Sequence, residues 1–186
     1  MLIMIAVMFA LYSIFDMSLR VFRFGNDKVE AVENARLGVE KMEREIRAAY
    51  PVNKIPDPPL EHLFFAPGNP TVPVVPGTNT ITFGNDLPQG ANPPNRRILD
   101  PFTNAAEPGE EITYAVSGST LTRNGQPVVE SVATDGLAFA YFRSNLQPAI
   151  AADGTDIGVV RISLEVNVDG RTQTLTTDVD LKNRGG

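Results

Sequence analysis

The chain contains no cysteine. That excludes a disulfide framework and any thiolate metal site, and by itself it assigns no cellular compartment. Histidine occurs once, at His62 within "PPLEHLFFAPG". A lone loop histidine reads as a surface or structural residue, and no serine or second acid stands in a recognisable triad context, so the sequence offers no catalytic constellation and reads as a non-enzyme. Basic clusters are scarce as well. The formal charge is −6; residues 1–50 hold seven basic and seven acidic side chains, and the rest of the chain carries nine basic against fifteen acidic. Arg96-Arg97 is the one adjacent basic pair in that acidic part, too small a footprint for phosphate backbones, so no direct nucleic-acid binding is expected.

Charge of either sign is missing from Met1 to Phe15, "MLIMIAVMFALYSIF". No basic region precedes this run and no small-residue A-x-A pattern follows it, which is not the layout of a removable secretory signal. A bilayer-spanning helix takes about 20 apolar residues. Met17, Leu19, Val21, Phe22 and Phe24 prolong the apolar character, and Arg20 and Arg23 have stems long enough to snorkel at an interface. Gly25-Asn26-Asp27 then predicts a local weakening of the helix or the cap of a new one.

From Asp27 to Ala49 the periodicity is clean. Val32, Ala35, Val39, Met42, Ile46 and Ala49 recur at spacings of three and four, one apolar stripe along a helix. Charged residues fill the other faces, with Glu40 and Arg44, and Glu43 and Arg47, placed to pair one turn apart. Pro51 ends the segment, because the residue before proline is pushed out of the helical region. The expectation is a helix of up to about fifty residues, near 75 Å long, apolar in front and amphipathic behind.

Thirteen of the fifteen prolines fall in residues 51–109. This stretch reads as ordered loops over a sheet, with one short strand in "TNTITFGND", where Ile81 and Phe83 alternate with threonines. The last third reads as antiparallel sheet. "EEITYAVSGSTLTRNGQPVVESV" puts Ile112, Tyr114 and Val116 on one face, turns at Ser117-Gly118, and turns again at Asn124-Gly125 into Val128, Val129 and Val132. In "GLAFAYFR", Leu137, Phe139 and Tyr141 alternate with Ala138, Ala140 and Phe142. In "VVRISLEVNVDGRTQTLTTDVDL", a two-residue turn at Asp169-Gly170 pairs Val168 with Arg171, hence Leu164 with Leu175 and Val160 with Val179, which brings the apolar side chains to one face.

A helix with one apolar stripe and a sheet with one apolar face cover each other. The reading is therefore α+β: a helix over residues 1–50 whose back half closes the core of a β-rich head over residues 51–186, and whose front half projects bare. A bare apolar helix must sit in a bilayer or bundle with other helices. Several side chains have plainer readings. Asp153 and Asp156 in "AADGTDIG" offer oxygens to calcium, but without the EF-hand spacing, so a solvated turn is preferred. Glu110-Glu111, Asp178 and Asp180 read as a solvated strand start and exposed strand faces. Phe64-Phe65 and Tyr141-Phe142 read as pairs of which at least one member packs in the core.

The order of an uncharged apolar helix, an amphipathic helix containing "ARLGVEKMEREIRAAYP", and the two stretches "ITYAVSGSTLTRNGQPVVESV" and "VRISLEVNVDGRTQTLTTDVDLKNR" resembles type IV pilin-like proteins. Among these it is most similar to minor pilins and pseudopilins of the J or W type. The resemblance spans residues 1–50 and 110–184. The basic leader, the glycine before the peptidase cut and the early glutamate of that family are not in the sequence, and Met1 falls about one-third of the way into the usual apolar helix, so the expectation is either an internal start or a front segment of roughly ten residues ahead of Met1, which would bring the span to membrane length.

The resemblance implies a type IV pilin fold with no cofactor. It implies a subunit held in the inner membrane of a bacterial envelope, drawn out by an assembly platform and ATPase, and packed into a periplasmic or extracellular filament with other pilin or pseudopilin subunits. Leu2, Ile3, Ile5, Val7, Phe9, Leu11, Ile14 and Phe15 would form the membrane and filament surface, and Val32, Ala35, Val39, Met42 and Ile46 the helix-to-sheet core. Two alternatives stand beside this: a minor pseudopilin that initiates the tip of a type II secretion pseudopilus, and a membrane-anchored periplasmic binding domain that never polymerises.

Overall fold

In the computed structural model, Leu2–Arg47 is one α-helix of 46 residues (α1), about 69 Å long at 1.5 Å per residue. The structure describes residues 2–50, 63–73, 79–85, 109–149, 156–168 and 170–181, together with Ile98 and Ala106. The single long helix expected from the sequence is present, and Gly25-Asn26-Asp27 does not cap a new one. Once a helix is nucleated each further residue adds a hydrogen bond, and a single interior glycine costs only about 1 kcal/mol against alanine, too little to stop a helix with long segments on both sides. Ion pairs one turn apart line it: Asp16 with Arg20 at 2.8 Å, Glu43 with Arg47, and Glu40 with Arg36 at 3.8 Å rather than with the expected Arg44. Arg44 and Arg47 in the last turn oppose the negative end of the helix dipole. Beyond it, the Tyr50 amide donates to the Gly84 carbonyl and ties the exit of the helix to the sheet.

Among the described residues the strands form three antiparallel sheets where one was expected. β1 (Phe65–Ala66) and β2 (Asn69–Pro73) make a small hairpin around Pro67-Gly68, inside the stretch read as loop. Gly68 makes it possible by taking φ +71°. β3 (Thr80–Gly84), β4 (Glu111–Ser117), β5 (Thr120–Arg123) and β6 (Gln126–Val129) form a four-stranded sheet in that order. Its first turn lies at Gly118-Ser119, one residue later than expected, because Ser117 pairs with Thr120. Its second is the Asn124-Gly125 turn, with both residues at positive φ as a type I′ turn demands. The Asn124 side chain also accepts from the Thr113 amide at 2.7 Å.

β7 (Val132–Phe142), β8 (Val159–Val168) and β9 (Arg171–Asp180) form the other sheet. Val168 pairs with Arg171, Leu164 with Leu175 and Val160 with Val179, the register that counting from the turn predicts. Asp169 itself lies outside the described residues. The sequence reading carried Val132 on from Val129 in one strand; instead the chain changes sheets there. Ser131 at φ +60° turns it out of β6, and Val132 pairs with Val166 of β8.

The back half of α1 lies across both sheets, against β6 of one and β8 and β9 of the other. Ala35, Met42 and Ile46 are fully buried, Val39 and Ala49 nearly so, and Val32 at the edge of the contact is half-buried. They meet Leu121 and Val129 from the first sheet and Ile162, Leu164, Val166 and Val179 from the second within one apolar cluster. Phe64 joins the two sheets, edge-on to Phe83 at 6.4 Å and tilted on Tyr141 at 5.8 Å. Gly38 also faces the head: a Cβ built there would overlap the Val129 side chain. The helix therefore approaches the sheet closer than any other residue at this position allows.

Gly38 and Gly25 provide a paired test. Gly38→Val should destabilise the full chain by about 2 kcal/mol, the usual cost of overpacking a filled contact. Gly25→Ala, whose added methyl meets nothing within 4 Å, should be neutral or stabilising by up to about 1 kcal/mol. Unfolding curves of both variants in detergent micelles check this, and equal effects would contradict the close approach at Gly38.

Candidate functional site

Two features stand out on the helix: a front half that none of the described residues covers, and a polar tie that fixes the back half to the head. Ile3, Ile5, Val7, Phe9, Leu11, Ile14 and Phe15 are between 52% and 81% exposed, and Met4, Met8 and Tyr12 between them are equally bare. The Leu2 side chain lies outside the described residues. Because the side chains of successive residues step by about 100° around the axis, this run is apolar on every face rather than along a stripe. The hollow bounded by Ile5, Met8, Phe9, Leu11, Tyr12 and Phe15, about 840 Å³, is the gap between neighbouring side chains of a bare helix. It is open to solvent along the helix and is not an enclosed ligand cavity. Removing these seven side chains from water is worth of order 10 kcal/mol, at roughly 1.5–3 kcal/mol for full burial of each and with part of their area already covered. The helix is long and apolar enough to cross a membrane.

The tie is built from three residues, Glu45, Tyr114 and Arg123, of which the sequence reading singled out only Tyr114. Glu45 sits beside the buried stripe, and its carboxylate turns inward instead of into the helix-surface pairs. Tyr114 of β4 donates its hydroxyl to Glu45 at 2.7 Å, and the Arg123 guanidinium of β5 donates to both Glu45 oxygens at 2.9 and 3.1 Å. Tyr114 is wholly buried. Burial, with the Glu45 carboxylate beside it, pushes the Tyr114 phenol far above its ordinary value. Asn85, also buried, donates from Nδ2 to the Glu45 carbonyl at 3.4 Å. A sequence signal for this tie existed: Tyr114 lies on the inward face of its strand, and a buried tyrosine needs a partner for its hydroxyl.

The remaining candidates fall as follows. Asp156 is held by Arg143 at 2.9 Å, so its carboxylate is engaged by a cation of the chain itself, and Asp153 lies outside the described residues, as does His62. Among the described residues no group of three or more histidine, aspartate or glutamate side chains is placed to hold a metal. Glu110, expected at a solvated strand start, is buried: its carbonyl accepts from the Asn85 amide where β3 ends and β4 begins. Asp178 is exposed, as expected, and takes a two-pronged pair from Arg161 across the sheet at 2.7 and 2.8 Å, which holds its carboxyl below the usual range. Both Phe64 and Phe65 are buried, as is Tyr141, while Phe142 is half-buried under the Arg161 guanidinium at 5.0 Å. No protein-family model, curated protein or solved structure matches the chain.

Glu45→Ala should destabilise the full chain by about 2–3 kcal/mol, since it leaves the Tyr114 hydroxyl and the Arg123 guanidinium without their acceptor. A loss under about 0.5 kcal/mol in equilibrium unfolding, the range of an ordinary surface change, would show that the tie contributes little.

The raised Tyr114 phenol also sets a pH dependence. Above about pH 10 the unfolded chain releases this proton while the folded chain keeps it, so stability is complete below that value and falls as the pH rises through it. Tyr114→Phe should reduce that alkaline slope in unfolding curves measured between neutral and strongly alkaline pH, leaving the share of the Tyr141 phenol, which burial also raises.

Proposed function

We propose that this chain is a structural subunit of a type IV pilus-like filament. The subunit waits in the inner membrane with the apolar front of α1 in lipid. On assembly the same surface exchanges lipid for the helices of neighbouring subunits, and the head faces outward. One observation carries the reading: a single unbroken helix joins a front half with no polar face to a back half sewn into the head by Ala35, Met42, Ile46 and the Glu45 tie.

Each part of that observation supports a step. The bare front is intolerable in water, so it is covered in every state the subunit occupies. A rigid rod fixed to a head also transmits position, which a flexible anchor does not: neighbouring helices packed in a bundle place their heads at a set spacing and rotation. Repeating one such contact without closing a ring generates an open helical array. The exposed apolar side chains of its front make the helix the feature with the strongest demand for a partner. The order of helix and hairpins shared with pilin-like proteins supports the same assignment.

Electron microscopy of sheared surface material from the native cell, with mass spectrometry of its composition, tests this directly. Thin filaments containing the chain are expected. The chain at trace level among other pilin-like subunits would make it a tip subunit of a pilus or secretion pseudopilus. Confinement to the membrane fraction without partner subunits would overturn the filament reading in favour of an anchored binding domain.

A charge placed at the front of the helix gives the complementary test. Val7→Glu or Leu11→Arg should abolish filaments, because an unpaired charge among packed apolar helices costs several kcal/mol. The head should keep its wild-type protease resistance, as neither residue touches it, and intact filaments built of either variant would refute the packing role of these residues.

A further inference from the structure

The two large sheets of the head end in β3, β6, β7 and β9, and the first three of these edges are blunted. β3 is bridged by Tyr50 at Gly84 and by Phe64 at Phe83. β6 is four residues long, carries Pro127 and shifts register against β5. β7 shifts register between Val132 and Leu137, and the Ala149 amide donates to its Tyr141 carbonyl at 3.0 Å. Such devices keep a further strand from pairing with an open edge. β9 lacks them. It runs ten residues in unbroken register with β8, contains neither proline nor lysine, and is bridged by nothing among the described residues.

The two-residue turn before β9 fixes which of its backbone groups face outward. Val168 and Arg171 close that turn as a hydrogen-bonded pair, and every second pair after them repeats the pattern. The Leu181 amide, which donates to the Gly158 carbonyl at 3.0 Å, keeps the same phase. The N–H and C=O groups of Thr172, Thr174, Thr176, Asp178 and Asp180 therefore point away from β8, and all five residues are exposed. Among the described residues no backbone group meets them, and the Thr172 carbonyl takes only the Gln173 side-chain amide, at 3.4 Å. The side chains beside this edge are already ordered: Thr176 meets Ser163 at 3.4 Å, and Asp178 holds Arg161. A row of donors and acceptors repeating every second residue is matched by the backbone of an extended polypeptide.

We infer that β9 is a docking edge for an extended segment of a different protein, which joins the sheet as an antiparallel fourth strand. A second copy of this chain does not fit. Antiparallel pairing of β9 with itself places a two-fold axis normal to the sheet, and that axis reverses every direction in the sheet plane. Because α1 lies across the sheets, the two apolar fronts would point opposite ways, which one bilayer cannot accommodate. The side chains define the segment that does fit. Thr172 to Thr177 is an uncharged run, so the centre of the edge repels no strand. Asp178 is occupied by Arg161, which leaves the exposed Asp180 carboxylate to receive a cation. On the inner face, half-buried Leu175 packs at the rim of the core, where a neighbouring apolar side chain would extend the cluster. The matching segment therefore carries a basic residue beside Asp180, hydroxyl or β-branched residues along the threonines, and an apolar residue beside Leu175. The inference goes beyond the filament reading, since it holds for a filament subunit and for an anchored domain alike.

The test uses the full chain in detergent micelles and a fluorescein-labelled peptide, Lys-Val-Thr-Val-Thr-Val-Thr-Val-Thr, as the probe. Running antiparallel to Thr172–Asp180, its lysine falls opposite Asp180. Saturable binding is expected in fluorescence anisotropy, with the Thr174 and Thr176 amides gaining protection from hydrogen exchange. N-methylation of the fifth peptide residue, whose N–H faces Thr176, should weaken binding about tenfold, the scale of one lost backbone hydrogen bond. N-methylation of the sixth, whose N–H faces away from β9, should leave it unchanged. Thr174→Pro removes one outward N–H and spares the ladder to β8, so it should also cost about tenfold while the head keeps its wild-type protease pattern. Asp180→Lys, which leaves every backbone group in place, should weaken the same peptide about threefold, the scale of an exposed ion pair.

An absence of saturable binding, equal losses from the two N-methylated peptides, or undiminished binding to either variant would overturn the docking edge. So would concentration-dependent dimers of the chain that vanish in Thr174→Pro, because the strand received would then be that of a second copy.

Discussion

The stripe from Ala35 to Ala49 is where the two large sheets of the head are joined. They share no strand, and each is only three or four strands wide, with one inner face to cover. The helix lies over both, so the side chains of Met42 and Ile46 are completely buried. Phe64 makes a second bridge between the sheets against Phe83 and Tyr141. Without the helix, the inner faces of β8, β9 and β6 would open to water together, because the same side chains cover all three.

That contact also governs a part of the molecule it does not touch. Because α1 runs unbroken from Leu2 to Arg47, the rotation set by the buried stripe is carried along the axis to the bare front. Gly38 sets how close the helix comes, and the Glu45 carboxylate, gripped by Tyr114 and Arg123, resists its rolling. The direction of each exposed ring at the front is thus decided some tens of ångströms away. A rod oriented in this manner carries positional information between head and bundle, and the filament proposal depends on that rigidity.

Local pattern made much of this legible. The alternation from Val160 to Val168 and the Asp169-Gly170 turn specify a hairpin whose register follows by counting, and the spacing from Ala35 to Ile46 specifies the buried side of a helix. The Asn124-Gly125 turn was legible for the same reason, since its positive φ values favour those residue types. The misreadings share a different cause. Gly25 could be read as a local weakening or as a new cap because propensity weighs a few residues, whereas cooperativity acts over the whole helix. Val132 looked like the end of a strand and is the start of one, since nothing local distinguishes a turn within a sheet from a turn that changes sheets. Glu110 looked solvated because its burial depends on where β3 and β4 come together.

By itself, then, the sequence determined the elements and their apolar faces: one long helix, bare in front and striped behind, and strands with one side to hide. These follow from period and turn chemistry, which act over a few neighbouring residues. Tertiary structure alone decided that the strands divide into separate sheets, that Gly38 marks the closest approach, and that Glu45 finds partners 69 and 78 positions away. Those outcomes depend on which surfaces meet, and each strand had several surfaces of suitable apolar character available. Packing volume and the need to satisfy buried polar atoms choose among them only when the whole chain is assembled.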